Sequence, residues 1–246
     1  MIKVGITGQA GFLGQNLYNT INLYKDKYEL VPFYDDYFND ETKLVHFASL
    51  CDVVVHFAAM SRAPDPNVVY TTNMDLVKKL ICALEKVNSK AHILYSSSVQ
   101  EDMDFPYARS KKEGRELLAK WSKNNGCLFT GFIFPNIFGP FCKPYYASFI
   151  ATFCHQIIHN DTPKIEIDRE MELLYVSEAM HIIIEAISNK TNSAYYKVDP
   201  TSYQTVSNVL LILKSFKNIY IENKEIPEFK NSFEKNLFNT FQSYIS

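Results

Sequence analysis

The sequence predicts an α/β chain, with a doubly wound parallel sheet filling the first half and a small lobe following it. Three observations carry this expectation. A strand-like run, Ile2–Thr7, breaks at a glycine turn and leads at once into an amphipathic stretch. Strand and helix patterns then alternate as far as Phe134, as they do when parallel strands are joined by right-handed crossovers. The run Asp52–Phe57 holds three consecutive valines, a strand apolar on both faces like those of a sheet covered on both sides.

In order along the chain, the first helix is expected over Gly14–Tyr24, with Leu17, Tyr18 and Ile21 on its inner face. A second strand follows at Tyr28–Tyr34, and Asp35–Cys51 leaves room for a single helix before the valine strand. Helical periodicity over Asn67–Lys86, a strand at His92–Ser97, a helix over Tyr107–Asn124 and a strand at Leu128–Phe134 complete the alternation. Beyond Pro135 the regular pattern fades. Helices are expected at Ser148–His159, Ser177–Ser188 and Thr205–Phe216, with Ser177 and Thr205 as N-caps, and short strands at Lys164–Ile167 and Tyr195–Val198. There is no repeat or long linker, so a division at residues 1–140 and 141–246 is expected.

Composition excludes several classes. The 246 residues are 47% hydrophobic and carry a net charge of −2, enough for a sizeable core and without the field that holds nucleic acid or an acidic membrane surface. Apolar runs are too short to span a bilayer, and the opening reads as a strand instead of a signal peptide, so a cytoplasmic protein is expected. Five cysteines without a C-x-x-C pair write neither a disulfide framework nor a thiolate zinc site. His155 and His159 stand i, i+4 but lack a third ligand, so no metal is expected.

The first chemical signal is Thr7-Gly8-Gln9-Ala10-Gly11-Phe12-Leu13-Gly14, a G-x-x-G-x-x-G turn between a strand and a helix. Glycines there let backbone N–H groups approach a pyrophosphate, whose charge rests on the helix N-terminus, and the last lets helix and strand pack closely. The turn predicts a Rossmann-like dinucleotide site. Asp35, at the expected end of the second strand, is placed to accept from an adenosine ribose. Asp35 and Asp36 would repel a 2′-phosphate with no Arg or Lys nearby in the turn, which leans the expectation from NADP(H) toward NAD(H). The other reading of Asp35 is a simple loop start.

The second signal is Ser96-Ser97-Ser98 at a strand end, followed by Tyr107 and Lys111 at i, i+4 on the next helix. A phenol with an ordinary pKa near ~10 is a poor acid at neutral pH until an ammonium one turn away stabilises its anion. A serine hydroxyl can then bind the substrate oxygen.

T-G-x-x-G-F-L-G, D-V-V-V-H-F-A-A (Asp52–Ala59), Asn73, S-S-S, Y-x-x-x-K and F-P-N-I-F-G-P (Phe134–Pro140) together resemble the extended short-chain dehydrogenase/reductases that act on nucleotide sugars. The likeness covers almost the whole chain. S-S-S-V-Q, P-N-I-F-G-P-F-C-K-P-Y-Y and S-F-I-A-T-F-C-H look like the reductase domain of the bifunctional capsular-polysaccharide enzymes of UDP-N-acetyl-L-fucosamine synthesis, without their cupin domain. The resemblance implies a dinucleotide-binding domain over 1–140 and a substrate-binding lobe over 141–246. It implies NAD(P)H-dependent reduction of the 4-keto group of a UDP-2-acetamido-2,6-dideoxy-4-ketohexose. Tyr107 would be the general acid, Lys111 its partner at the nicotinamide ribose, and Ser97 or Ser98 the hydroxyl on the keto oxygen. Ala58 and Ala59 would line the cofactor, Asn73 would brace the site helix, and Pro135 and Asn136 would meet nicotinamide and sugar. Arg62, Lys143 and Arg169 would hold the diphosphate. A homodimer through the two long helices, and a separate cupin epimerase, are the partners implied.

Departures from the family pattern bear on the reaction. The family's basic residues in the glycine turn and after the second strand are Ala10 and Asp35 here, an expected arginine is Ile133, and Y-V-D-D becomes Tyr175-Val176-Ser177-Glu178. Val99-Gln100 stands where related dehydratases carry Asp-Glu, which argues against dehydration. Cys142 is a candidate for the extra acid of an epimerising reductase, but no cysteine lies in the serine strand. The alternatives are a nucleotide-sugar 4-epimerase with tightly bound NAD, and a non-catalytic dinucleotide-sensing protein.

Overall fold

A computed structural model describes residues 1–245. The chain runs β1 (Ile2–Thr7), α1 (Phe12–Ile21), β2 (Tyr28–Val31), α2 (Glu41–Leu50), β3 (Val53–His56), α3 (Pro66–Lys86), β4 (His92–Ser98), α4 (Pro106–Asn125) and β5 (Phe129–Phe134). It continues through β6 (Asn136–Phe138), α5 (Phe149–Ile158), β7 (Glu170–Tyr175), α6 (Val176–Ser188), β8 (Ser193–Lys197), β9 (Ser202–Thr205), α7 (Val206–Phe216) and α8 (Ser232–Gln242).

Two compact units result, Met1–Phe134 with Met180–Val198, and Pro135–Ala179 with Asp199–Ser246. The single division expected after residue 140 gives way to a discontinuous one, because β8 pairs in parallel with β5 and returns to the first sheet.

The first unit is built on a parallel six-stranded sheet of order β2-β1-β3-β4-β5-β8. All residues of β3 and β5 are buried, as helices on both faces of a parallel sheet require. From β1 the chain turns one way to β2 and then crosses to the other side for β3. The crevice at the carboxyl ends of β1 and β3 is therefore the switch point of the sheet, the usual ligand position in such folds.

Several expected boundaries shift. β2 ends at Val31 because Pro32 has no N–H to continue the ladder, and Asp35 opens a 3₁₀ turn, Asp35–Asn39. α1 ends at Ile21 and continues as a 3₁₀ turn, and its buried face is Gly14, Leu17 and Ile21, with Tyr18 exposed instead of inward.

In the second unit, β6, β7 and β9 form a three-stranded sheet, with β9 antiparallel to β7. Phe138, Ile150, Leu173, Val209, Leu213, Phe238 and Phe241 form its core with others from the same helices. The strand expected at Lys164–Ile167 is irregular chain, and the actual strand is β7. Thr205 caps α7 by accepting from the Asn208 N–H (3.1 Å). α6 already starts at Val176, so Ser177 stands inside its first turn instead of at the N-cap position. Among the described residues no helix is long and apolar enough to cross a membrane.

Candidate active site

The glycine turn sits at the switch point. Gly8 has φ +68°, a left-handed conformation that favours glycine, and a Cβ there would lie 2.7 Å from the Ala58 nitrogen. The loop after β3 thus packs directly on the turn, joined to it by the Ala58 N–H donating to Thr7 Oγ1 (3.3 Å). Ala59 is half-buried beside Ala58. Gly11 is the N-cap of α1 and supplies no side-chain cap, so the first-turn N–H groups of Phe12 and Leu13 receive no acceptor from it. Gln9 Oε1 is buried there with no partner among the described residues. An uncapped helix start, a turn too close for side chains and an orphan polar atom fit a pyrophosphate-bearing cofactor.

Asp35 is exposed on the 3₁₀ turn after β2. The turn itself holds no Arg or Lys, but Lys43 Nζ, from α2, lies 3.0 Å from Asp36 and 3.9 Å from Asp40. Asp40 caps α2 through the Lys43 N–H (3.1 Å), and that cap brings the lysine round. If Asp35 meets the ribose, Asp35→Arg shifts coenzyme preference toward NADPH by on the order of tenfold, read as the ratio of the two dissociation constants. An unchanged ratio takes Asp35 away from the cofactor.

Pro106 opens α4 at N1, a position where its missing N–H costs nothing, and so sets Tyr107 in the first turn. Lys111 follows one turn later, fully buried, its Nζ 4.9 Å from the centre of the Tyr95 ring and 5.9 Å from that of Tyr107. Burial lowers the ammonium to about 8. Beneath it His56 stacks on Tyr95 at 5.7 Å and pairs through Nδ1 with Thr7 Oγ1 at 2.7 Å. Burial, and secondarily the Lys111 charge, hold that imidazole neutral with a pKa of about 3. Asn73 is buried, accepts from the Met60 N–H (2.7 Å) and donates to Met60 O (3.0 Å) and Ser110 Oγ (3.0 Å), bracing α4 as expected of it.

The Lys111 ammonium carries a stability consequence. Its folded value of about 8 lies below the ordinary 10.5, so between these the unfolded chain binds the extra proton and stability rises with pH. Below about 8 the full desolvation cost, about 3 kcal/mol, is present. Lys111→Met is therefore expected to raise the stability of the cofactor-free protein at neutral pH, with the gain shrinking toward pH 10.5. Denaturant titrations at two pH values check this, and a gain that grows with pH would contradict it.

The two candidate serines differ. Ser97 is buried and its hydroxyl donates to Glu101 Oε2. Ser98 is half-buried, and its Oγ accepts from the Gln100 N–H (3.2 Å). The carboxylate of Glu101 is in turn held by Arg115, a pair that the reading of the sequence did not find. Its signal was present: Arg115 stands at i+4 from Lys111, a charge on the buried stripe of α4.

Of the remaining candidates, Arg62 is exposed in the first unit. In the second, Pro135 is buried, Asn136 donates to Glu172 O (3.2 Å), and Lys143 and Arg169 are exposed. Cys142 is buried, which pushes its thiol up to about 11 and makes it a poor acid–base group at neutral pH. His155 and His159 have ring centres 4.1 Å apart with their planes tilted by 36°, and among the described residues no three His, Cys, Asp or Glu gather as a metal site.

Comparison with known proteins gives the family and the fold. The pattern of the NAD dependent epimerase/dehydratase family matches residues 4–198. UDP-2-acetamido-2,6-beta-L-arabino-hexul-4-ose reductase of Pseudomonas aeruginosa is 30% identical over 221 residues, 88% of this chain and 58% of that protein. The chain thus spans little more than half the length of that relative. The capsular polysaccharide assembling protein CapF of Staphylococcus aureus has a similar structure, with TM-score 0.83 and 29% identity over 99% of this chain and 65% of its own. RMD of Pseudomonas aeruginosa, solved with NADPH, shares the fold at TM-score 0.83 and 19% identity, covering 99% of this chain and 98% of its own.

Proposed function

The chain belongs to the NAD dependent epimerase/dehydratase family, and from that premise we propose that it reduces the 4-keto group of a UDP-2-acetamido-2,6-dideoxy-4-ketohexose for surface polysaccharide synthesis. The observation that carries the reading is the buried Lys111 ammonium facing the Tyr107 ring one turn away, beside a strand that ends in Ser98. The reductase named above, at 30% identity, supports the choice of substrate.

A reduced nicotinamide dinucleotide, when bound, supplies the hydride. Tyr107 gives its phenolic proton to the C4 oxygen, and Lys111 stabilises the phenolate that remains. Its value of about 8 keeps most of the ammonium charged at neutral pH. Ser98 donates a hydrogen bond to the same oxygen, since the Ser97 hydroxyl is engaged with Glu101. Gly8, Gly11 and Gly14, with the N–H groups of Phe12 and Leu13, hold the pyrophosphate. Ala58, Ala59 and Pro135 line the cofactor and Asp35 takes its adenosine ribose, which leans the preference to NAD(H). Asn136 meets the sugar, and Arg62, Lys143 and Arg169, all exposed cations, take the diphosphate. A homodimer, a separate cupin epimerase and a cytoplasmic location complete the proposal, the last supported by five cysteines of which none is bridged.

The test is an absorbance assay with enzymatically made 4-keto sugar nucleotide and NADH or NADPH in separate reactions. Oxidation of either coenzyme supports the reductase. Binding of coenzyme without oxidation overturns it, and interconversion of C4 epimers without added coenzyme would replace it with the epimerase.

A further inference from the structure

A buried ionic network underlies the end of β4. Arg115 grips Glu101 through two hydrogen bonds, Nε to Oε2 at 3.0 Å and Nη2 to Oε1 at 2.6 Å. Both side chains are buried, 8% and 1% exposed. A bidentate pair of this kind fixes direction as well as distance. The Glu101 carboxylate also accepts from the Ser97 hydroxyl, while its N–H donates to Ser98 O at 2.9 Å. Ser98 is therefore held on two sides by one residue, through its neighbour's side chain and through its own carbonyl.

The other end of the network is anchored equally firmly. Arg115 Nη1 donates to Ala194 O of β8 at 2.9 Å, and its guanidinium lies 5.2 Å from the Tyr195 ring centre. The arginine stem crosses β5 at Gly131, where a Cβ would stand 2.8 Å from its Cγ and Cδ. Arg115 shares α4 with Tyr107 and Lys111, at four-residue steps along one stripe.

Taking the reductase reading as its basis, we infer that the Glu101–Arg115 pair positions the Ser98 hydroxyl against Tyr107. It ties the strand end that carries the serine to the helix that carries the acid. Glu101 and Arg115 touch neither substrate nor cofactor in this role; they are positioning residues. Displacement of an aligned donor by about an ångström costs on the order of a hundredfold in rate, so the network acts on kcat and not on coenzyme affinity.

Single substitutions that strand one buried charge lower stability and rate together and do not separate the roles. The paired variant Glu101→Leu/Arg115→Met does, because removing both charges for apolar groups preserves or raises stability. Its melting temperature should match or exceed that of the parent protein and its coenzyme dissociation constant should be unchanged, with kcat down about a hundredfold. A kcat at the parent level in the folded double variant overturns the inference. Should that variant not fold, Arg115→Lys serves, because it keeps the opposite charge beside Glu101 and removes the bidentate grip: kcat about tenfold lower at unchanged coenzyme affinity is expected, and an unchanged kcat is the opposing result. One readout needs no substrate. Amide hydrogen exchange at Ser98–Gln100 should quicken about tenfold in either variant while β1 and β3 keep their protection. If the parent protein reduces no 4-keto sugar, the reductase reading fails by itself, and unchanged exchange in the variants then rejects the pair's role as well.

Discussion

Tyr107→Phe is expected to lower turnover about a thousandfold while leaving coenzyme affinity nearly unchanged. The substitution removes one oxygen and keeps the ring that stacks with Phe105 at 6.4 Å and faces the Lys111 ammonium. Packing at the start of α4 is therefore preserved, and what is lost is the proton for the C4 oxygen. Steady-state kinetics beside a coenzyme fluorescence titration separate the two quantities. Near-normal turnover would remove Tyr107 as the acid, whereas equal losses in binding and rate would mean that the ring had been holding the site together.

A second large effect is expected from Gly14→Ala, through backbone instead of chemistry. A methyl at this position would collide with the Gly8 carbonyl oxygen and lie 2.6 Å from Gln9 Cα, both main-chain neighbours with no freedom to swing aside. The turn must open to admit it. A stability loss of about 3 kcal/mol is expected, together with loss of coenzyme binding, because the pyrophosphate cradle and the helix start move apart. Gly11→Ala is the comparison for stability alone, since a methyl there meets only Gly8 O at 3.2 Å while Gly11 shares the pyrophosphate cradle. Thermal melts of the two variants and a coenzyme titration of Gly14→Ala are the measurements. A Gly14→Ala protein that binds coenzyme normally would show that this turn does not hold it.

The parallel sheet was legible because strands covered on both faces are written as apolar runs. Asp52–Phe57 and Leu128–Phe134 could be nothing else in that alternating context. Tyr107 and Lys111 were legible because one helical turn fixes their relation locally. The three-stranded sheet of the second unit was not. β6 and β9 have three and four residues, and β9, Ser-Tyr-Gln-Thr, is half exposed, so no periodicity accumulates. Relations made across the fold were hidden too. Lys43 reaches Asp36 only after the chain reverses at the Asp40 cap, and Glu101 meets Arg115 only when α4 docks on β4. The choice between Ser97 and Ser98 turned on that last contact, which no local pattern in S-S-S could show.

The return of β8 to the first sheet has a consequence for how the protein is made. All six residues of β5 are buried in the finished fold, and the strand carries three phenylalanines. Its outer neighbour, β8, is synthesised about sixty residues later, after the Pro135–Ala179 part of the second unit has been made. Throughout that interval the nascent chain presents an apolar strand with an unpaired edge, the kind of surface that chaperones shield and that aggregates when they do not. A chain cut anywhere between β5 and β8 carries that exposed edge permanently.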